Sequence, residues 1–287
     1  MNSVDPNSVL KKVFKENYKV LSPLVGGMMN KSFIVEKDNK KYVLYISTEQ
    51  ANEMVDRPLE RIHQKIAFDL GITSKNVYFD EKNGIKINEF IDGSSIDKVN
   101  EFDYKKLAIL FHKLHASKIL SKENYNPYLR FKNYEAEAKQ FVKDFPQDFL
   151  TLKDLFLSNQ NFLESQKLVL SHNDAQRSNI IKASNGEYYF IDFEFVGNND
   201  EIYDIACFGN GLVEEGYKLF LEYFENPTIE EKKRYYLWRI YISLQWYLVA
   251  LVKHYRGEGA AHGFNFLNVA AHFLNNAKTA YSYFQKL

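Results

Sequence analysis

Apolar and polar residues alternate with period two through much of the first ninety positions, the pattern of half-buried β-strands. The alternation covers residues 18–25, 31–35 and 41–46, with a turn signal at Asp38-Asn39, and predicts a small antiparallel meander. Between residues 50 and 70 the spacing becomes helical, with Met54, Leu59, Ile62, Ile66 and Leu70 on one face and Gly71 as a stop. Two more strand-like runs, 76–79 and 84–91, flank a polar turn at 80–83.

The pattern changes after Asp92-Gly93-Ser94-Ser95, a loop signal. Leu107, Leu110, Phe111 and Leu114 recur at three and four, residues 131–163 predict one or two more helices, and helices resume from Tyr203 to the end. Short strand-like pieces at 168–170 and 188–192 bracket a polar segment, 171–179. The predicted fold is α+β and two-lobed, with a small antiparallel sheet over residues 1–91 and a larger, mainly helical lobe over residues 92–287.

Composition narrows the class. The chain has 287 residues, 45% of them apolar, which excludes disorder and leaves room for about two domains. Lysine plus arginine and aspartate plus glutamate both number 37, so net charge gives no reason to expect nucleic acid or an anionic membrane as partner. The single cysteine, Cys207, cannot form an internal disulfide. The first ten residues lack an apolar signal region, and the apolar run 240–252 is too short to span a bilayer and contains Gln245. It predicts a buried helix, and a cytoplasmic location is expected.

The segment His172-Asn173-Asp174-Ala175-Gln176-Arg177-Ser178-Asn179, followed by Ile191-Asp192-Phe193-Glu194, carries the most chemical information. Phosphoryl transfer from ATP needs a carboxylate to orient the acceptor hydroxyl and take its proton, and oxygen ligands that hold Mg²⁺ against the phosphates. Asp174 suits the first role; Asn179, five residues on, and Asp192, on the next strand, suit the second. The octapeptide alone is equally well a polar loop around a buried His172. A strand-like run entering it, Ile180-Ile181 leaving it and an Asn185-Gly186 turn before Asp192 favour the catalytic reading. His112 and His115, three apart on an apolar helix, read as structural rather than metal-binding.

The run Ile191 to Asp200, with Tyr203-Asp204-Ile205-Ala206 after it, resembles the second signature of choline/ethanolamine kinases, and the octapeptide resembles their first, H-N-D-x-x-x-x-N. Leu24-Val25-Gly26-Gly27-Met28-Met29-Asn30-Lys31 resembles that family's glycine-containing phosphate loop, and Asp56-Arg57-Pro58-Leu59-Glu60 its N-R-x-x-E helix. The likeness extends over most of the chain and is nearest the bacterial choline kinases. It implies an aminoglycoside-phosphotransferase-like version of the protein-kinase fold, ATP and Mg²⁺ as cofactors, and a small amino alcohol as substrate. It further implies that Gly26, Gly27, Met28, Met29 and Asn30 cover the phosphates, that Arg57 and Glu60 belong to the nucleotide side, and that adenine meets the backbone near Asn88, Glu89, Phe90 and Ile91. Gln176, Trp246 and Tyr241 are the acceptor-side candidates.

Three positions depart from that pattern. The strand after the phosphate loop ordinarily supplies a lysine or arginine to the phosphates, and Tyr45 stands there, so that Glu60 lacks its expected partner unless Arg57 or Lys31 substitutes. A W-x-x-W pair for a quaternary ammonium is reduced to Trp246 and Val249. The acidic residue expected seven positions after Asp204 is Gly211. Trp238, Tyr241, Tyr247, Tyr255 and Phe264 are available as replacement rings, though each reads more readily as core. The sequence therefore predicts a kinase of choline or a related amino alcohol, with a kinase of another small hydroxylated acceptor (an aminoglycoside or a sugar) and a nucleotide-binding pseudokinase as the alternatives.

Overall fold

The computed structural model of the protein describes residues 4–24, 30–259, 263 and 265–287. The first element is a helix, α1 (Pro6–Phe14), which the alternating pattern around it does not announce. Asp5 caps it by accepting from the Asn7 amide, and Val9 and Leu10 enter a core with Val35, Leu44, Ile46, Ile85 and Ile87. That core lies on a five-stranded antiparallel sheet of β1 (Tyr18–Leu24), β2 (Asn30–Lys37), β3 (Lys40–Ser47), β4 (Asn76–Asp80) and β5 (Ile85–Glu89), in the order β1-β2-β3-β5-β4. Asp38 and Asn39 close the β2–β3 hairpin with φ of 48° and 61°, the conformation a two-residue turn demands.

The single helix expected over 50–70 is two, α2 (Glu49–Met54) and α3 (Arg57–Asp69). Val55 is extended, and Asp56 starts the second helix by accepting from the Leu59 amide, with Pro58 in the first turn where its missing N–H costs nothing. The most buried face is also turned away from the expected one, leaving Leu59, Ile66 and Leu70 half-buried. Met54 and Ile62 are about half exposed, whereas Arg57, Glu60, His63, Gln64 and Ala67 are buried. The polar side turns inward because it joins the ion cluster described below.

After β6 (Gly93–Ser95) come α4 (Tyr104–His115), α5 (Pro127–Ala138), α6 (Gln147–Ser158), α7 (Gln160–Glu164) and β7 (Val169–Ser171). A 3₁₀ turn, Arg177–Asn179, leads into β8 (Ile180–Ala183) and β9 (Tyr188–Phe190), then β10 (Gly197–Asn199), α8 (Glu201–Phe208), α9 (Val213–Tyr223), α10 (Ile229–Tyr255) and α11 (Phe266–Phe284). Two compact units result: Met1–Asn100 with Ile180–Val196, and Glu101–Asn179 with Gly197–Leu287. The sequence reading divides the chain once, after residue 91. The β8–β9 hairpin groups with the first unit because β8 pairs with β6, and Phe190 bonds Ile72 and Thr73 through its backbone. Pairings between segments so distant in sequence leave no local signal.

The second unit is built around α10, 27 residues long and opened by a Thr228/Glu231 capping box. Residues 235–244 are buried without interruption, as in a helix surrounded by protein on all sides. It packs on α5, α6, α8 and α11. No helix among the described residues is long and apolar enough to cross a membrane.

Candidate active site

The second unit holds the loop that follows β7. Asp204, fully buried on α8, accepts from the His172 amide through Oδ2 and from the Asn173 amide through Oδ1, both at 2.6 Å, and its Oδ2 lies 3.0 Å from His115 Nε2. Asn173 sits at φ 63°, donates to the Ser171 and Gly197 carbonyls and accepts from Asn199. His172 is fully buried, and its Nδ1 accepts from the Asp174 amide at 3.3 Å. The backbone before Asp174 is thus fixed by buried, partly charge-assisted bonds.

Asp174 itself is half-buried. Its Oδ2 accepts from Asn179 Nδ2 at 2.8 Å and from Gln176 Nε2 at 3.3 Å, and Asn179 Nδ2 also reaches the Asp174 carbonyl. Gln176 Oε1 in turn accepts from Asn210. Asp174, Gln176 and Asn179 therefore form one constellation.

The first unit holds a buried ion cluster. Glu60 is bound from two sides, by Arg57 Nη1 at 2.6 Å and by Lys86 Nζ at 2.5 Å. Arg57 also reaches Glu194 Oε1 at 3.1 Å, Asn52 and Ser47, while Asn30 donates to Glu194 Oε1 at 2.7 Å. Lys86 Nζ lies 3.6 Å from Asp192 Oδ1 and 4.0 Å from Glu194 Oε1. Burial alone would raise the Glu60 carboxyl, but the Lys86 ammonium and the Arg57 guanidinium outweigh it and hold it below the usual range. Burial would likewise lower Lys86, and Glu60, Asp192 and Glu194 outweigh it, so that the ammonium is kept charged. Asp192 is pushed up, first by burial and then by Glu194.

Three carboxylates here face two cations, and one oxygen of each of Glu60, Asp192 and Glu194 falls within 4.8 Å of the others. Asp192 Oδ1 and Glu194 Oε2 are buried without a hydrogen-bond partner in the structure. Asp192 adopts φ 67°, a strained conformation for an aspartate. A surplus of buried negative charge with orphaned oxygens fits a hard divalent cation such as Mg²⁺.

Other expected residues fall elsewhere. Gly26, Gly27, Met28 and Met29, and the aromatic Phe264, lie outside the described residues. Glu89 ends β5 exposed, its amide bonded to the Lys75 carbonyl, and Ile91 follows half-buried. Trp246 is half-buried and stacks on Phe273 with ring centroids 5.8 Å apart. Tyr241 is fully buried among Phe131, Phe156, Tyr203 and Trp238, in the core of its unit. Gly211 adopts φ 79°, where an acidic side chain would be strained. His115 bridges Asp204 and the Tyr223 hydroxyl, and His112 stacks on Tyr223, so both have protein partners.

Lys86 was not among the sequence candidates, although a lysine between Ile85 and Ile87 in a strand-like run is a signal that can be read. Asp204, present in the motif, showed nothing of its role until the loop's amides were located.

Comparison with known proteins bears on the site. The family model described as choline/ethanolamine kinase matches residues 21–246. The protein LicA of Haemophilus influenzae is 23% identical over 263 residues, covering 85% of this chain and 77% of its own. The crystal structure of choline kinase LicA from Streptococcus pneumoniae superposes with a TM-score of 0.75 at 22% identity, over 98% of this chain and 99% of that one. An aminoglycoside phosphotransferase, APH(4)-Ia, gives 0.69 at 13% identity over 97% and 98%. The structural likenesses show a shared protein-kinase-like, two-lobed α+β fold.

Proposed function

Because the chain belongs to the choline/ethanolamine kinase family, it is a small-molecule kinase, and we propose that it transfers the terminal phosphoryl group of ATP to the hydroxyl of choline or a related amino alcohol, with Mg²⁺ as cofactor. The observation that carries this reading is the Asp174 carboxylate, oriented by Asn179 and Gln176 on a loop whose amides are fixed by Asp204. In the reaction Asp174 would orient the acceptor hydroxyl and take its proton as that oxygen bonds to the γ-phosphorus of ATP and the bond from phosphorus to the bridging oxygen breaks, releasing ADP. Asn179 and Asp192 are the side chains assigned to hold Mg²⁺, and the orphaned oxygens of Asp192 and Glu194 support that assignment. The bound ion would neutralise charge on the phosphates. Asn30, with Gly26, Gly27, Met28 and Met29, covers the phosphates, the backbone near Glu89 and Ile91 receives adenine, and Trp246 receives the cationic end of the acceptor.

A second reading keeps this chemistry and changes the acceptor to an aminoglycoside or a sugar. Val249 and the left-handed Gly211 favour it, because both remove groups expected around a quaternary ammonium. ATP consumption measured against choline, ethanolamine, other amino alcohols, aminoglycosides and simple sugars separates the two. Selective turnover of choline or ethanolamine is expected, with Asp174→Ala slower by about 10²- to 10⁴-fold. Selective turnover of a sugar or aminoglycoside would establish the second reading, and near-normal turnover by Asp174→Ala would remove the assigned base.

A further inference from the structure

The vacancy at Tyr45 is filled from the next strand. Tyr45 on β3 and Lys86 on β5 are direct cross-strand partners in an antiparallel pair, so their side chains leave the same face of the sheet as immediate neighbours. A lysine spans the gap to that neighbour's position, and Lys86 Nζ sits 5.1 Å from the centre of the Tyr45 ring, 2.5 Å from Glu60 and 3.6 Å from Asp192. From the geometry we infer that Lys86 is the phosphate-binding cation of this kinase, displaced by one strand, and that Tyr45 serves as the aromatic surface that holds the ammonium in place. The inference rests on the ATP-dependent reading above and identifies the side chain that would meet the nucleotide's charge.

The other cations named for the role do not suit it. Arg57 and Lys86 are equally buried, each 3% exposed, but the Arg57 guanidinium is committed to Glu60, Glu194, Asn52 and Ser47. Lys31 opens onto solvent on β2, where it pairs with Ile46. Lys86 alone among the three stands against both Glu60 and Asp192. Its ammonium has three donors, and only the Glu60 contact is short enough to be a hydrogen bond, so it keeps capacity for phosphate oxygens. Tyr45, half-buried beside it, keeps its phenol protonated, its pKa pushed up to about 12, first by desolvation. A neutral ring face beside the ammonium is the condition for cation–π attraction.

The test is calorimetric binding of ATP with Mg²⁺ and, separately, of adenosine, which has no phosphates, to the full chain. Lys86→Met is expected to weaken ATP binding by about 10- to 100-fold, the loss of one charge-assisted contact, and to leave adenosine binding unchanged. Combining it with Tyr45→Lys should restore most of the ATP affinity by returning the charge to β3, whereas Tyr45→Lys alone should not tighten binding, because the position's function is already supplied. Should Lys86→Met fail to fold with Glu60 left to Arg57 alone, Lys86→Met with Glu60→Gln removes both charges and must meet the same criteria. Unchanged ATP affinity in a folded variant, or equal losses for ATP and adenosine, would overturn the inference while leaving the kinase reading intact. A wild-type chain that gains no affinity from the phosphates would overturn both.

Discussion

At the scale of single residues, buried polar groups set the behaviour of both halves of the chemistry. Asp204 shows how: one carboxylate accepts two loop amides and meets a buried histidine, and the loop it fixes presents Asp174. His63 has the opposite character. It is buried on α3 and its pKa is lowered to about 4, mainly by burial, with Asp56 and Glu60 opposing. A histidine whose folded-state pKa lies below its ordinary value of 6.5 favours the neutral fold, so its contribution is fully present above pH 6.5 and is lost as pH falls toward 4. Chemical denaturation of the wild type and of His63→Gln at pH 7 and pH 4.5 checks this. The wild type should lose about 2 to 3 kcal/mol more than the variant over that range, and parallel losses would show that His63 does not titrate in this way.

At the scale of elements, α3 shows where pattern reading succeeds and where it does not. The helix itself was legible, from its spacing and its Gly71 stop, but its orientation was not, because apolar periodicity assigns the inward face to Leu59, Ile62 and Ile66. Tertiary electrostatics turns the helix: Arg57 and Glu60 point inward to meet Lys86 and Glu194, while Leu59 and Ile66 stay half-buried. Ile62→Gln should therefore change stability by no more than about 0.5 kcal/mol, while Ala67→Gln, one face round, should cost at least about 2 kcal/mol by overfilling a site with no exposed surface. Thermal or urea unfolding distinguishes the two, and the reverse ranking would mean that the apolar face is the packed one. On α4 the pattern was sufficient. Leu107, Leu110, Phe111 and Leu114 are all buried.

At the scale of the whole molecule, the fold class was legible because strands concentrate in the first ninety residues and helices after them, and the comparisons bear out the family that the motifs resemble. Less legible was anything that depends on pairing across the sequence. The grouping of β8 and β9 with the first unit follows from such pairing, and so does the meeting of Tyr45 with Lys86 across β3 and β5. A motif read along one strand registers Tyr45 as a loss, whereas the sheet register turns it into an exchange of roles between neighbours. With Lys86 in the proposed role, the sequence argument for a pseudokinase would fall away. The central claim is then that this chain transfers phosphate to a small amino alcohol with Asp174 as its base. Mass spectrometry of the acceptor after incubation with ATP and Mg²⁺ tests it most directly. The account predicts phosphorylated choline or ethanolamine from the wild type, formed about 10²- to 10⁴-fold more slowly by Asp174→Ala. Equal product from both proteins, or ATP hydrolysis with every offered amino alcohol left unmodified, would contradict it.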